Sequence, residues 1–110
     1  MSAEFHGVPT WWRPYVVDFV RRAYPIGEDL NVGISSWHRT RTKNFEVGGA
    51  ETSQHLLAIA WDVVGPDALE YARRARAAGL VVIEEGDHVH VQRYARGILP
   101  AELYTAVAIA

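Results

Sequence analysis

Apolar and polar positions recur along the chain in two rhythms, and each rhythm predicts a different kind of element. In TWWRPYVVDFVRRAY (10–24), Val16, Val17, Phe19, Val20 and Ala23 return at three- and four-residue spacing, which places them on one face of a helix. Thr10 is expected to cap that helix, Pro14 suits its first turn and Pro25 ends it. GPDALEYARRARAAG (65–79) predicts a second helix, begun at Pro66 and Asp67 and stopped by Gly79. Two-residue alternation appears elsewhere. LNVGISS (30–36) predicts a strand with Leu30, Val32 and Ile34 inward, and AIAWDVV (58–64) predicts another. LVVIEEGDHVHVQRY (80–94) reads as a hairpin turning near Glu85 and Gly86, and PAELYTAVAIA (100–110) as a short terminal helix. The segment HRTRTKNFEVGGAETS (38–53) is polar and contains glycine, so it predicts a long loop of the kind that carries function in small domains.

The order helix, strand, loop, strand, helix, hairpin, helix implies an α+β domain with a small, mostly antiparallel sheet flanked by helices. With 110 residues, 49% of them apolar, the chain is expected to form one domain over 1–110. Net charge is −2 with both signs mixed, which argues against a nucleic-acid partner. No apolar run approaches the roughly 20 residues of a membrane span. The start, MSAEFHGVPTWW, lacks a basic segment followed by an apolar run. A monomer is therefore expected, synthesised in the cytoplasm without a signal peptide and reaching any outside target only after release. Cysteine is absent, which excludes disulfides, thiolate ligands and a cysteine nucleophile. Any transition metal would have to be held by histidine and carboxylate.

Two stretches carry such groups. SQHLLAIAWDVV sets His55 and Asp62 seven residues apart, and GDHVHVQ adds Asp87, His88 and His90. Donors around a tetrahedral zinc ion lie roughly 3.4 Å from one another. An offset of seven on one helix separates two backbones by about 10 Å, and on one straight strand it puts them on opposite faces. His55 and Asp62 can share an ion only if the chain bends between them. His88 and His90, two apart on a strand, face the same side. If the hairpin lies beside the strand with Asp62, His90 completes two imidazoles and one carboxylate, a catalytic zinc set with a fourth position open. Asp87, at the turn, could then act as general base. Each residue also has a plainer reading: His55 as a buried structural histidine, Asp62 and Asp87 as turn formers, His88 and His90 as exposed strand positions. Arg39 reads as a solvated loop cation; Arg41 and Lys43 read equally as solvated cations or as groups that attract a terminal carboxylate, and Trp37, Trp61 and Tyr94 as core or as the lining of a groove for an apolar peptide.

Taken together, ISSWHRT (34–40), Asn44, VGGAETSQHLLAIAWD (47–62) and DHVHV (87–91) resemble the zinc D-alanyl-D-alanine carboxypeptidase family. That family includes phage endolysins and shares its fold with the hedgehog signalling domain. The resemblance implies a hedgehog/D,D-peptidase-like fold, a zinc cofactor bound by His55, Asp62 and His90, and Asp87 as catalytic base. It also implies Arg39 as the residue that binds substrate and stabilises the oxyanion. Ser53 would lie near the substrate, with Asn44, Val47, Gly48 and Gly49 in the loop before it. His88 would support the ligands or the transition state, and Trp37 would touch substrate. The implied activity is zinc-dependent hydrolysis of peptidoglycan stem or cross-bridge peptides. The alternative is a non-catalytic peptide- or wall-binding relative that retains the metal site. Two departures bear on specificity: Trp37 and His38 replace the family's Gly-Tyr before the arginine, and Ala58 stands where glycine is expected.

Overall fold

The computed structural model of the chain describes residues 8–108. Its elements are α1 (Arg13–Ala23), β1 (Gly33–Ser36), α2 (Arg41–Glu46), β2 (Ala60–Val64), α3 (Ala68–Ala77), β3 (Val81–Glu84), β4 (Val89–Gln92) and α4 (Ala101–Val107). Short 3-10 turns occupy Thr10–Trp12, Pro25–Gly27 and Gln54–Leu57. The four strands form one sheet in the order β1-β2-β4-β3, with every pair antiparallel. The α+β expectation therefore holds.

The period of two along the strands separates the faces of the sheet. Trp61 and Val63 of β2 and Val89 and Val91 of β4 are buried on one face, where α3 packs against β3 and β4. Phe19 of α1 meets Trp61 edge-on at 4.8 Å between ring centroids. The Tyr71 hydroxyl of α3 donates to the Ala23 carbonyl at 2.6 Å and accepts from the Trp61 indole at 3.2 Å, so one side chain joins both helices to the central strand. The other face carries Asp62, His90 and Gln92, and the segment between β1 and β2 folds over it.

Several expectations shift. Thr10 does not cap α1: it begins a 3-10 turn, and Trp12 occupies the N-cap without a side-chain bond. The first strand covers only Gly33–Ser36, and Ile34 is exposed rather than inward. Leu30 and Val32 do pack on the core, but Ile34 shares their side at the open edge of the sheet, where it borders a groove with Tyr24 and Trp61. The second strand begins at Ala60 and not at Ala58. The expected loop over 38–53 contains α2, whose N-cap Thr40 accepts the Lys43 N–H at 3.0 Å. Asp67 begins α3 as expected, yet its carboxylate accepts from the Asn31 N–H at 2.8 Å and so pins the approach to β1. The hairpin turns at Glu85–Gly86, with Gly86 at φ +82°. The terminal helix ends at Val107; residues 109 and 110 of that segment lie outside the described residues. Among the described residues, no helix is long and apolar enough to cross a membrane.

Candidate metal centre

The bend that the spacing of His55 and Asp62 demands is present. Ser53 caps the 3-10 turn Gln54–Leu57, its hydroxyl accepting the His55 N–H at 3.3 Å. Ala58 then adopts left-handed dihedrals, φ 57° and ψ 24°, the one non-glycine residue to do so among those described. This reversal aims the chain into β2. An L-residue in that conformation costs about 1–2 kcal/mol, which gives the physical reason to expect glycine there.

His55 is buried, and its Nδ1 lies 2.6 Å from the Trp37 carbonyl. A carbonyl only accepts, so Nδ1 carries the proton and a neutral ring leaves a lone pair on Nε2. That lone pair faces Asp62 Oδ1 at 3.2 Å. On the neighbouring strand, His90 pairs directly across from Asp62. His90 Nδ1 is 3.2 Å from the same Oδ1, and Nε2 is 2.8 Å from Gln92 Oε1. The Gln92 amide cannot be turned the other way, because its NH₂ donates to the Tyr94 carbonyl at 2.7 Å. Nε2 of His90 is therefore the protonated nitrogen, and Nδ1 is the free one.

Two imidazole lone pairs and a carboxylate oxygen thus converge, with the three donor atoms within 4.8 Å of one another. Buried electron-pair donors that face each other need a cation between them. A divalent ion such as zinc fits the set, which offers nitrogen and oxygen donors at roughly the 3.4 Å separation of a tetrahedral shell. Each ring's far nitrogen is already tied to an acceptor, the arrangement that orients histidine ligands. Burial acts to raise the Asp62 pKa; hydrogen bonds and charge from His55 and His90, which act only when those rings are protonated and no ion is bound, outweigh it and hold the carboxyl well below the usual range.

These donors lie on the wall of a cleft of about 360 Å³. Arg39 lines it too. Its guanidinium reaches Asp62 Oδ2 at 3.2 Å, Ser36 Oγ at 3.3 Å and Asn44 Oδ1 at 3.5 Å. Asn44 is buried behind Arg39, and its amide donates to the Ala50 carbonyl at 2.8 Å. A Cβ at Gly49 would collide with the Asn44 side chain, so the second glycine of the Val-Gly-Gly run exists to let Asn44 close against it. Ser53, Val47, Gly48 and Gly49 line the cleft. Trp37 does not. It stands behind His55, its carbonyl on the ring and its indole donating to the Ala58 carbonyl at 2.9 Å. Arg41 and Lys43 are exposed and are not part of the cleft lining.

The β3–β4 turn forms the rim. His88 Nε2 sits 3.9 Å from Asp62 Oδ1 and 3.4 Å from Glu85 Oε2. The hydrogen bond that His88 Nδ1 donates to Asp87, helped by the nearby carboxylates, raises the His88 pKa despite some desolvation. The Asp87 side chain itself is 92% exposed and turned to the outside, with Oδ1 2.7 Å from His88 Nδ1. Its connection to the cleft runs through His88, whereas Glu85 lines the cleft directly. Sequence reasoning passed over Glu85, Gln54, Gln92 and Arg96, all of which border the cleft. Gln92 had a usable signal: it lies two residues past His90 on the same face of β4.

The family model of peptidase M15 matches residues 15–92, well over half of the chain, and spans all three converging donors. The chain belongs to the peptidase M15 family. No curated protein and no solved structure matches it. M15 peptidases are metallopeptidases, and the fold seen here is compatible with theirs. Among the described residues of this M15 chain, His55, Asp62 and His90 form a group that could hold a metal.

Proposed function

We propose that this M15 chain is a zinc-dependent peptidase that hydrolyses peptidoglycan stem or cross-bridge peptides, by D,D-carboxypeptidase or endolysin-type endopeptidase action. The observation that carries the reading is the convergence of His55 Nε2, Asp62 Oδ1 and His90 Nδ1 on the wall of an open cleft beside a guanidinium. When bound, zinc would supply Lewis acidity, polarising the scissile carbonyl and acidifying water. Arg39, fixed by Ser36, Asn44 and Asp62, places positive charge where the carbonyl oxygen becomes an anion. Proton handling falls to the β3–β4 turn. Asp87, the base that the resemblance implies, acts here by accepting from His88 Nδ1, so that His88 is the group that takes the proton at Nε2 and later returns it to the leaving amine. Ser53 and the neighbouring loop backbone border the space left for the peptide. Such a substrate lies outside the cytoplasm.

The outward position of Asp87 favours a second reading, a peptide- or wall-binding relative that keeps the ion without catalysis. Zinc-loaded protein incubated with purified peptidoglycan, with the products weighed by mass spectrometry, separates the two. Released peptides from the wild type, and a loss of 10²-fold or more in Asp87→Ala and His88→Ala, are expected for the enzyme. Tight zinc binding with no cleavage would leave the binding module standing. Cleavage lost in Glu85→Ala but intact in Asp87→Ala would move the base to Glu85.

A further inference from the structure

Two buried glutamines lie beside the proposed ligands, and both donate to the same carbonyl, that of Tyr94. Gln54 immediately precedes His55. Its side-chain amide donates to the Tyr94 carbonyl at 2.6 Å and accepts the Tyr94 N–H at 3.1 Å. Gln92 lies two residues beyond His90 and donates to the same Tyr94 carbonyl at 2.7 Å, while its Oε1 meets His90 Nε2 at 2.8 Å. Gln54 is 2% exposed and Gln92 8%. Burial of an uncharged amide is costly unless every bond is made, and here the bonds run from one ligand-bearing segment to the other.

The shared peptide is itself well anchored. The Arg93 N–H extends the β2–β4 ladder to the Ile59 carbonyl at 3.1 Å. The Arg93 guanidinium reaches Asp18 of α1 at 2.8 Å and lies 4.7 Å from the centroid of the Tyr94 ring. The segment just past β4 is thus held by the central strand and by α1, and it gives both glutamines a common fixed point.

We propose that Gln54 and Gln92 are positioning residues for the metal. Through the Tyr94 peptide they set the distance between the His55 turn and the His90 strand. Gln92 also keeps the His90 proton on Nε2, so that Nδ1 stays free for the ion. The proposal rests on the metal reading above, and it concerns side chains that are not among the three donors.

The test measures zinc alone. The zinc dissociation constant is determined by competition with a chromophoric chelator for the wild type, Gln92→Met and Gln54→Met, with folding followed by circular dichroism. In parallel, long-range ¹⁵N–¹H spectra of the metal-free proteins at alkaline pH, where imidazole is neutral, report which nitrogen of each histidine carries the proton. A 10- to 100-fold weaker zinc complex is expected for Gln92→Met, the usual effect of removing an outer partner of a histidine ligand. The wild-type spectrum should place the His90 proton on Nε2, Gln92→Met should show a mixture of tautomers, and Gln54→Met should weaken zinc while leaving the tautomer unchanged. A wild-type His90 proton on Nδ1, or a folded Gln92→Met with wild-type affinity, overturns the proposal. Should Gln92→Met fail to fold, the wild-type spectrum and the Gln54→Met affinity decide. A wild type that binds no zinc defeats the metal reading instead, and the spectra still judge Gln92.

Discussion

Replacing Tyr71 by phenylalanine removes a single oxygen from the interior, and the structure says how much that should cost. The hydroxyl is shared between the Ala23 carbonyl, at the end of α1, and the indole N–H of Trp61, next to Asp62 on β2. Phenylalanine would leave both groups without a partner. A buried polar group deprived of its bond costs about 1–3 kcal/mol. The neighbouring groove reaches Ala23 and Trp61 and offers water a path to one of them, so a total loss of about 2–4 kcal/mol is expected at neutral pH. A domain of this size has about 5–15 kcal/mol to lose. In urea, with m on the order of 1–3 kcal/mol/M, the midpoint should fall by roughly 1–2 M at unchanged m. Alkaline titration adds a second signature. Burial pushes the Tyr71 hydroxyl up to about 12, against a smaller opposite pull from the Trp61 N–H. Because the folded-state pKa lies above the unfolded value of about 10, the unfolded chain ionises first. The contribution is fully present below pH 10 and fades as pH rises through 12, at about 1.4 kcal/mol per pH unit. The variant lacks this group, so the stability gap between the two proteins should narrow over that interval. A neutral-pH loss below about 1 kcal/mol, or a gap that stays constant from pH 10 to 12, refutes the account.

Metal removal should destabilise the protein: zinc at 100 times its dissociation constant adds about 2.7 kcal/mol, a rise in Tm of roughly 10 °C for a domain of this size, visible by scanning calorimetry and absent in Asp62→Asn. Gly49→Ala should push Asn44 off Arg39 and cost about 1–3 kcal/mol through overpacking, with a fall in kcat/KM for the peptide substrate; an unperturbed variant would show that the loop yields freely. Ala58→Val should cost more than about 2 kcal/mol, since a β-branched residue is worse still in left-handed dihedrals. Ala58→Gly should stay within about 1 kcal/mol of wild type, as relief of strain offsets lost burial and added chain entropy. Urea midpoints measure both.

Much of the fold was legible because burial writes itself into local rhythm. Val16, Phe19 and Ala23 announced α1, Pro66 and Gly79 bracketed α3, and Val89 and Val91 marked the inner face of β4. What stayed hidden had no apolar rhythm. Helix α2 buries only Asn44, so its single clue was Thr40 as a cap. Ile34 kept the right period, but the sequence could not say that β1 would be an edge strand. At the site, ligand identity was readable from residue type, whereas the register that sets Asp62 opposite His90 is a long-range pairing. Outward display of Asp87 and convergence of Gln54 and Gln92 on Tyr94 likewise depend on how distant segments meet.

The register of β2 against β4 has a consequence for biogenesis. A nascent chain that has exposed His55 and Asp62 but not yet His90 owns two donors out of three, and until the hairpin zips alongside β2 those two have nothing to complete them. A metal site assembled across the central pair of strands would therefore stay weak until the sheet is finished. Loading the ion then reports the completion of folding, and a register slip of one residue, which would swing His90 to the opposite face, would yield a chain that cannot be loaded at all.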